Sequence, residues 1–134
     1  MSLFIQLARH KKPIARILLS GLWIAFSEFA RNELLFKYVW VRHYDSLHLT
    51  FETTPLNGIL WLLWSIIFSY GIYELLSVFS VKKTIALAWI FGFVLMWITI
   101  FNLQVLPLRL LLWAIPLSGI EVYVSVLLLK KLTA

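Results

Sequence analysis

Long apolar stretches broken by short polar ones set the plan of this chain. Four of them, at about 14–36, 56–79, 84–106 and 108–129, contain few charges. A helix needs about 20 residues to cross roughly 30 Å of hydrocarbon, and each stretch meets that length. The pattern predicts an all-α polytopic membrane protein. Its four transmembrane helices run up-down-up-down, because short connections make neighbours antiparallel. Lys82 and Lys83 separate the second and third stretches, and "LQVLPLR", with its helix-breaking Pro107, separates the third and fourth. The segment at about 37–55, "KYVWVRHYDSLHLTFETTP", is the one sizeable loop. Tyr38, Trp40 and Tyr44 suit a headgroup zone, where an amphipathic ring has one wet edge. Either a short interfacial helix or a re-entrant turn fits there. Residues 1–134 read as one domain.

Composition agrees with lipid as the solvent. The chain is 62% hydrophobic and 13% charged, where a soluble domain is about half apolar and a quarter charged. A soluble chain this small has too little interior to hide so much apolar surface. The net charge of +6 does not point to nucleic acid, because the basic residues end apolar runs and form no stripe with interleaved aromatics. They report topology instead. With the N-terminus in the cytoplasm, Arg9, Lys11, Lys12, Arg16, Lys82, Lys83, Lys130 and Lys131 face inward, and Arg31, Lys37, Arg42 and Arg109 face outward. That bias places both termini in the cytoplasm. The basic start of the first stretch resembles a signal peptide. It is followed by the charged "SEFARNELL" and no clear small-residue cleavage site, which favours a retained helix. There is no cysteine, so disulfides, Cys-ligated zinc and thiol chemistry are excluded.

The second and fourth stretches share a pattern. "PLNGILW" at 55–61 and "PLRLLLW" at 107–113 agree in four of seven positions. "SYGIYE" is echoed by "SGIE", both stretches then carry "SV", and both close on a double lysine. A two-helix unit used twice in the same orientation accounts for this. So does chance recurrence of the abundant Leu, Trp and Ser.

The pattern also brings two acids to one depth. Glu74 precedes Lys82 by eight residues and Glu121 precedes Lys130 by nine, which on unbroken helices is about 12–14 Å. A mid-bilayer charge is penalised by roughly 2.5–3.5 kcal/mol on insertion scales. Such acids are expected to face protein or water, or to hold a proton. A close Glu74–Glu121 pair would titrate as a unit. Helical spacing places Tyr70 and Ser77 beside Glu74, and Ser118 and Ser125 beside Glu121. These six residues form the expected central titratable site, read either as a proton- or cation-handling centre or as hydrogen-bonded helix glue.

A second polar group lies toward the outer surface. Glu28, Arg31 and Asn32 share one face of the first helix, Asn102 ends the third, and Arg109 opens the fourth. Together they are expected to line an outer vestibule, where two guanidinium groups would suit an anionic headgroup or carboxylate. The plainer alternative is a salt bridge fastening the first helix to the fourth. In the loop, His43, Asp45 and His48 are residue types that bind zinc, but their spacing matches no metal motif. No metal and no cofactor are expected. G-x-S-x-G, phosphate-cradling and Rossmann signatures are missing, and nothing singles out Asp45 and Glu52 as an acid/base pair.

The plan of four short helices, with polar residues near the ends of the first and third, resembles several bacterial families of small membrane proteins. The resemblance is of plan alone, and it carries no functional residue. It implies the bacterial inner membrane. The leading expectation is proton-coupled transport or permeation of a small solute through the intramembrane glutamates. The alternatives are a membrane-embedded enzyme acting on a lipid or isoprenoid headgroup, and an accessory or structural subunit of a membrane complex. The expected partners are the lipid bilayer and a small-molecule or lipid ligand, with no nucleic acid. Four helices enclose little space, and a homodimer would supply a larger central cavity.

Overall fold

The computed structural model describes residues 3–131, with side chains over 13–130. The side chains of Arg9, Lys11, Lys12 and Lys131, on which part of the charge bias rests, lie outside the described residues. Among the described residues all regular structure is helical. Four helical spans, Pro13–Leu35, Pro55–Val78, Val81–Asn102 and Leu108–Lys130, are long and apolar enough to cross a membrane. The protein is therefore a polytopic membrane protein with an antiparallel four-span bundle. Its two ends are called the lysine end, after Lys82, Lys83 and Lys130, and the loop end.

The first span is α1 (Leu3–Phe29), which continues into a wider π-helical turn at Ala30–Leu35. The chain then enters α2 (Lys37–Ser46), a short helix with no buried residue, so this part of the loop is helical and not a turn. The second span is α3 (Pro55–Val78). Pro55 suits the first turn, where its missing N–H needs no partner, and Asn57 Oδ1 accepts the backbone N–H of Thr54 at 2.9 Å. The third span is α4 (Val81–Trp89), a π-helical turn at Ile90–Val94, and α5 (Leu95–Asn102). A 3-10 turn at Leu108–Leu110 leads into α6 (Leu111–Lys131).

Two boundaries differ from the hydropathy reading. The third span begins at Val81, because Ser80 caps it and accepts the Lys83 backbone N–H at 3.4 Å. Lys82 and Lys83 therefore belong to its first turn. It ends at Asn102, not at 106, because Gln104 takes a left-handed backbone (φ 64°) that a helix cannot accommodate.

α3 and α6 pack against each other, and α1 and α4 each pack against both. Ile24, Ile72, Ala88, Phe93, Val122, Val126 and Leu129 form the buried centre. Close approach depends on small residues, the usual device where lipid gives helices no hydrophobic reason to associate. A Cβ on Gly21 would stand 3.1 Å from Ile66 Cα, so α1 and α3 cross with backbones nearly touching. A Cβ on Gly92 would stand 2.4 Å from the Phe68 ring, which itself packs edge-on against Phe93 at 5.8 Å. The outer faces carry exposed Leu22, Phe26, Ile67, Phe91, Ile98 and Leu112. That belt suits contact with lipid.

Candidate functional site

The bundle buries an ion-pair triad. Glu28 on α1, Arg31 in the following π turn and Glu121 on α6 are 3%, 5% and 0% exposed. Arg31 Nη1 donates to Glu121 Oε2 at 3.3 Å, and Arg31 Nη2 donates to Glu28 Oε1. The guanidinium carbon stands 5.4 Å from the centre of the buried Phe93 ring, a cation–π contact shielded from water. Asn32 Nδ2 donates to Glu28 Oε2 at 3.0 Å, and Trp40 Nε1 donates to Asn32 Oδ1 at 3.0 Å. One continuous polar chain thus runs from α6, through α1, to α2.

Local geometry explains each placement. Glu28 and Arg31 are three apart and share a helix face. Glu121 is the middle residue of the 21-residue α6, about 15 Å from either end. Its carbonyl accepts from Trp23 Nε1 at 3.0 Å and from Ser125 Oγ at 2.9 Å. The Trp23 contact ties α6 to α1 at the level where Arg31 reaches across, whereas the Ser125 bond lies within α6. Ser118, one turn away, donates to the Ile115 carbonyl at 3.0 Å and accepts from Trp89 Nε1 at 2.9 Å.

Charge is unbalanced in the triad, with two carboxylates against one guanidinium. Glu121 Oε1 is buried and has no hydrogen-bond partner among the described residues. The buried hydroxyls Ser20 Oγ on α1 and Thr84 Oγ1 on α4 share that condition. Ser20 lies two turns closer to the lysine end than Glu28, and Thr84 lies in the first turn of α4 at that end.

A cavity of about 600 Å³ occupies the loop end and reaches Glu28, Arg31 and Asn32. Trp40 and Tyr44 of α2, Phe51 and Glu52 of the following segment, Asn57 and Trp61 of α3, and Trp97 of α5 contribute to its walls. The first three rings pack together, with Tyr44–Phe51 centroids at 5.2 Å, Trp40–Phe51 at 5.9 Å and Trp40–Tyr44 at 6.3 Å.

The two expected clusters are only partly assembled. Glu121, Ser118 and Ser125 are buried together, whereas Glu74, Tyr70 and Ser77 are exposed on the outside of α3. The buried line of α3 is Ser65, Ser69 and Ile72, and Glu74 is turned about 200° from Ile72 at 100° per residue. Glu74 is also shallower than the spacing to Lys82 implied. Phe79 and Ser80 are extended, so the helix stops one turn after Glu74 and the acid sits about 6 Å from its end. The expected Glu74–Glu121 pair is not formed.

Of the expected vestibule, Glu28, Arg31 and Asn32 line the cavity, but Asn102 and Arg109 do not. Asn102 lines a separate groove with His43 and Gln104, and Arg109 is exposed. Arg31 is committed to two carboxylates, which leaves no free guanidinium for an anion. The fastening of the first span to the fourth is present, made by Glu121 where Arg109 was expected. His43 Nε2 lies 2.9 Å from the Gln104 carbonyl, and the described residues gather no group of three metal-type side chains. His43, Asp45 and His48 therefore do not converge.

Glu121 as the third member, Phe93 beneath Arg31 and the Trp40–Asn32 link went unread in the sequence. The Glu28/Arg31/Asn32 spacing is the signal that found the rest. Comparisons of the chain with protein-family models, curated proteins and solved structures return no match.

Proposed function

We propose that this protein is a small transport or permeation protein of the membrane, in which the Glu28–Arg31–Glu121 triad couples movement of a solute to movement of a proton. One observation supports this reading above the others: a solvent-sized cavity at one end terminates on a buried cluster with more carboxylates than cations. Ionisable groups at membrane depth are functional by default, because they are expensive to place there. The loop end faces outward in this reading and the termini face the cytoplasm, as the lysine and arginine bias favours.

The mechanism follows from charge. With both acids ionised the triad carries one net negative charge. A proton neutralises it, and so does a cationic group arriving through the cavity. The two therefore compete for the same compensation. If the site opens to one side at a time, that competition exchanges one for the other. Ser20 and Thr84, the buried hydroxyls nearer the lysine end, supply polar stations on the inner side of the triad.

The test uses vesicles containing the purified chain and a lumenal pH dye, with an imposed pH gradient. Quaternary ammonium ions, carboxylates and sugars are added in turn, each against protein-free vesicles. At least one class should change lumenal pH only when the protein is present. Glu28→Gln and Glu121→Gln should abolish the response, and Glu74→Gln should retain it. No response to any class, or an undiminished response in Glu121→Gln, overturns the proposal.

A further inference from the structure

Three places outside the triad's own hydrogen bonds invite a use. The exposed apolar belt is accounted for by lipid. The groove beside His43 and Asn102 is shallow, and its one histidine is engaged by the Gln104 carbonyl. The walls of the loop-end cavity carry more information, because their chemistry is selective.

Rings and acids meet there. Trp40, Tyr44 and Phe51 form a mutually packed aromatic corner, and Trp61 and Trp97 add two more indoles to the lining. An aromatic belt anchoring a helix in headgroups would turn its rings outward. These rings border a cavity, and Trp40 is tied inward by its bond to Asn32. Around the cavity and directly behind it stand the carboxylates Glu28, Glu33, Glu52 and Glu121, against the cations Arg31 and Lys37. Lys37 pairs with Glu33 at 3.2 Å and Arg31 with Glu28 and Glu121. The excess negative charge stands out on a chain whose net charge is +6. Aromatic faces attract cations through their quadrupole, and quaternary ammonium groups are held in such cages. An anion would meet Glu52, which has no cation partner among the described residues, and an arginine already engaged. A volume of about 600 Å³ lies within the range of sites for drug-sized ligands, about 300–1,000 Å³.

We propose that the loop-end cavity binds an organic cation with an apolar body, its charge held by the aromatic corner and Glu52 above the triad. This rests on the transport reading for its role but not for its binding. The substrate class of the transporter is then a hydrophobic amine or quaternary ammonium compound.

The probe is benzyltrimethylammonium, with phenylacetate and glucose as anionic and polar uncharged comparisons. Binding is measured by equilibrium dialysis to the full chain in lipid nanodiscs, against empty nanodiscs to subtract partition. The cation should bind saturably, at least about tenfold tighter than either comparison. Phe51→Leu and Glu52→Gln, both outside the triad, should each weaken it by about 3- to 10-fold, the range that one desolvated cation–π or charge contact gives. Equal affinity for phenylacetate, preference for glucose, or unchanged binding in both variants overturns the inference. Saturable cation binding without proton movement in vesicles removes the transport reading and keeps the site. Proton movement driven by another solute class, with no cation preference in binding, does the reverse.

Discussion

Arg31→Met and Glu121→Gln should have very different consequences for folding, although each removes one end of the same ion pair. Arg31 is 5% exposed, and its partners Glu28 and Glu121 are 3% and 0% exposed. At 3.3 Å and an effective dielectric of about 20, one such contact is worth about 5 kcal/mol of gross attraction. Removing Arg31 forfeits that attraction twice and leaves two carboxylates buried with no cation between them. Breaking a buried pair in this way costs about 3–5 kcal/mol. Removing the charge of Glu121 forfeits one attraction, but it also removes the carboxylate whose desolvation opposed folding. The triad then sums to zero, and the glutamine oxygen still accepts from Arg31. The net loss should be about 0–1.5 kcal/mol, the worth of an ordinary hydrogen bond. Unfolding free energies from SDS titration in mixed micelles at pH 7.5 would read the gap. Equal losses in the two variants would refute the charge argument.

Other substitutions test the placements around the triad. Glu74→Gln should leave the unfolding free energy within about 0.5 kcal/mol of the parent, as for other exposed positions; a large loss in SDS titration would mean Glu74 has a buried partner. Gly92→Ala drives a methyl group toward the Phe68 ring, 2.4 Å from its nearest atom, and should destabilise by about 1–3 kcal/mol as an overpacked site. Trp40→Phe keeps an aromatic face but deletes the donor to Asn32. It should cost about 1 kcal/mol and loosen α2, seen as faster amide exchange over residues 37–46.

Sequence periodicity located the spans well because a membrane span is defined by length and hydropathy alone. It failed on which way α3 faces, for a physical reason. That helix is apolar all round, so no polar stripe marks its inner side, and the row Tyr70–Glu74–Ser77 looked more like a buried polar face than Ser65–Ser69–Ile72. The depth of Glu74 was misjudged because counting to Lys82 assumed one continuous helix, and the extended pair Phe79–Ser80 breaks it. Glu28 and Arg31 were legible because three-residue spacing makes neighbours on any helix. Glu121 was legible as a buried acid but not as their partner, since that depends on how α6 is rotated against α1. Trp23, donating to the Glu121 carbonyl, fixes that rotation through a contact that no local pattern announces.

The two π-helical turns explain why the triad sits where it does. A span in lipid cannot leave backbone groups unpaired, so a change of helical register has to keep its hydrogen bonds. A π turn does this by closing i to i+5, as Phe36 N donating to Arg31 O at 3.0 Å and Leu95 N donating to Ile90 O show. Each such turn shifts the face presented by the residues that follow, and π turns occur often at functional sites. Arg31 belongs to one and Phe93 to the other, and their side chains meet. The first turn lets α1 bury Arg31 against α6 and then redirect the chain toward α2, which brings Trp40 back over Asn32. The second lets α5 continue at an angle that leaves Met96 and Trp97 facing the cavity while Phe93 stays beneath the guanidinium. Regular α-helices would bury an arginine or line a cavity, but a single phase serves one inner face. The cavity and the charged floor below it need two.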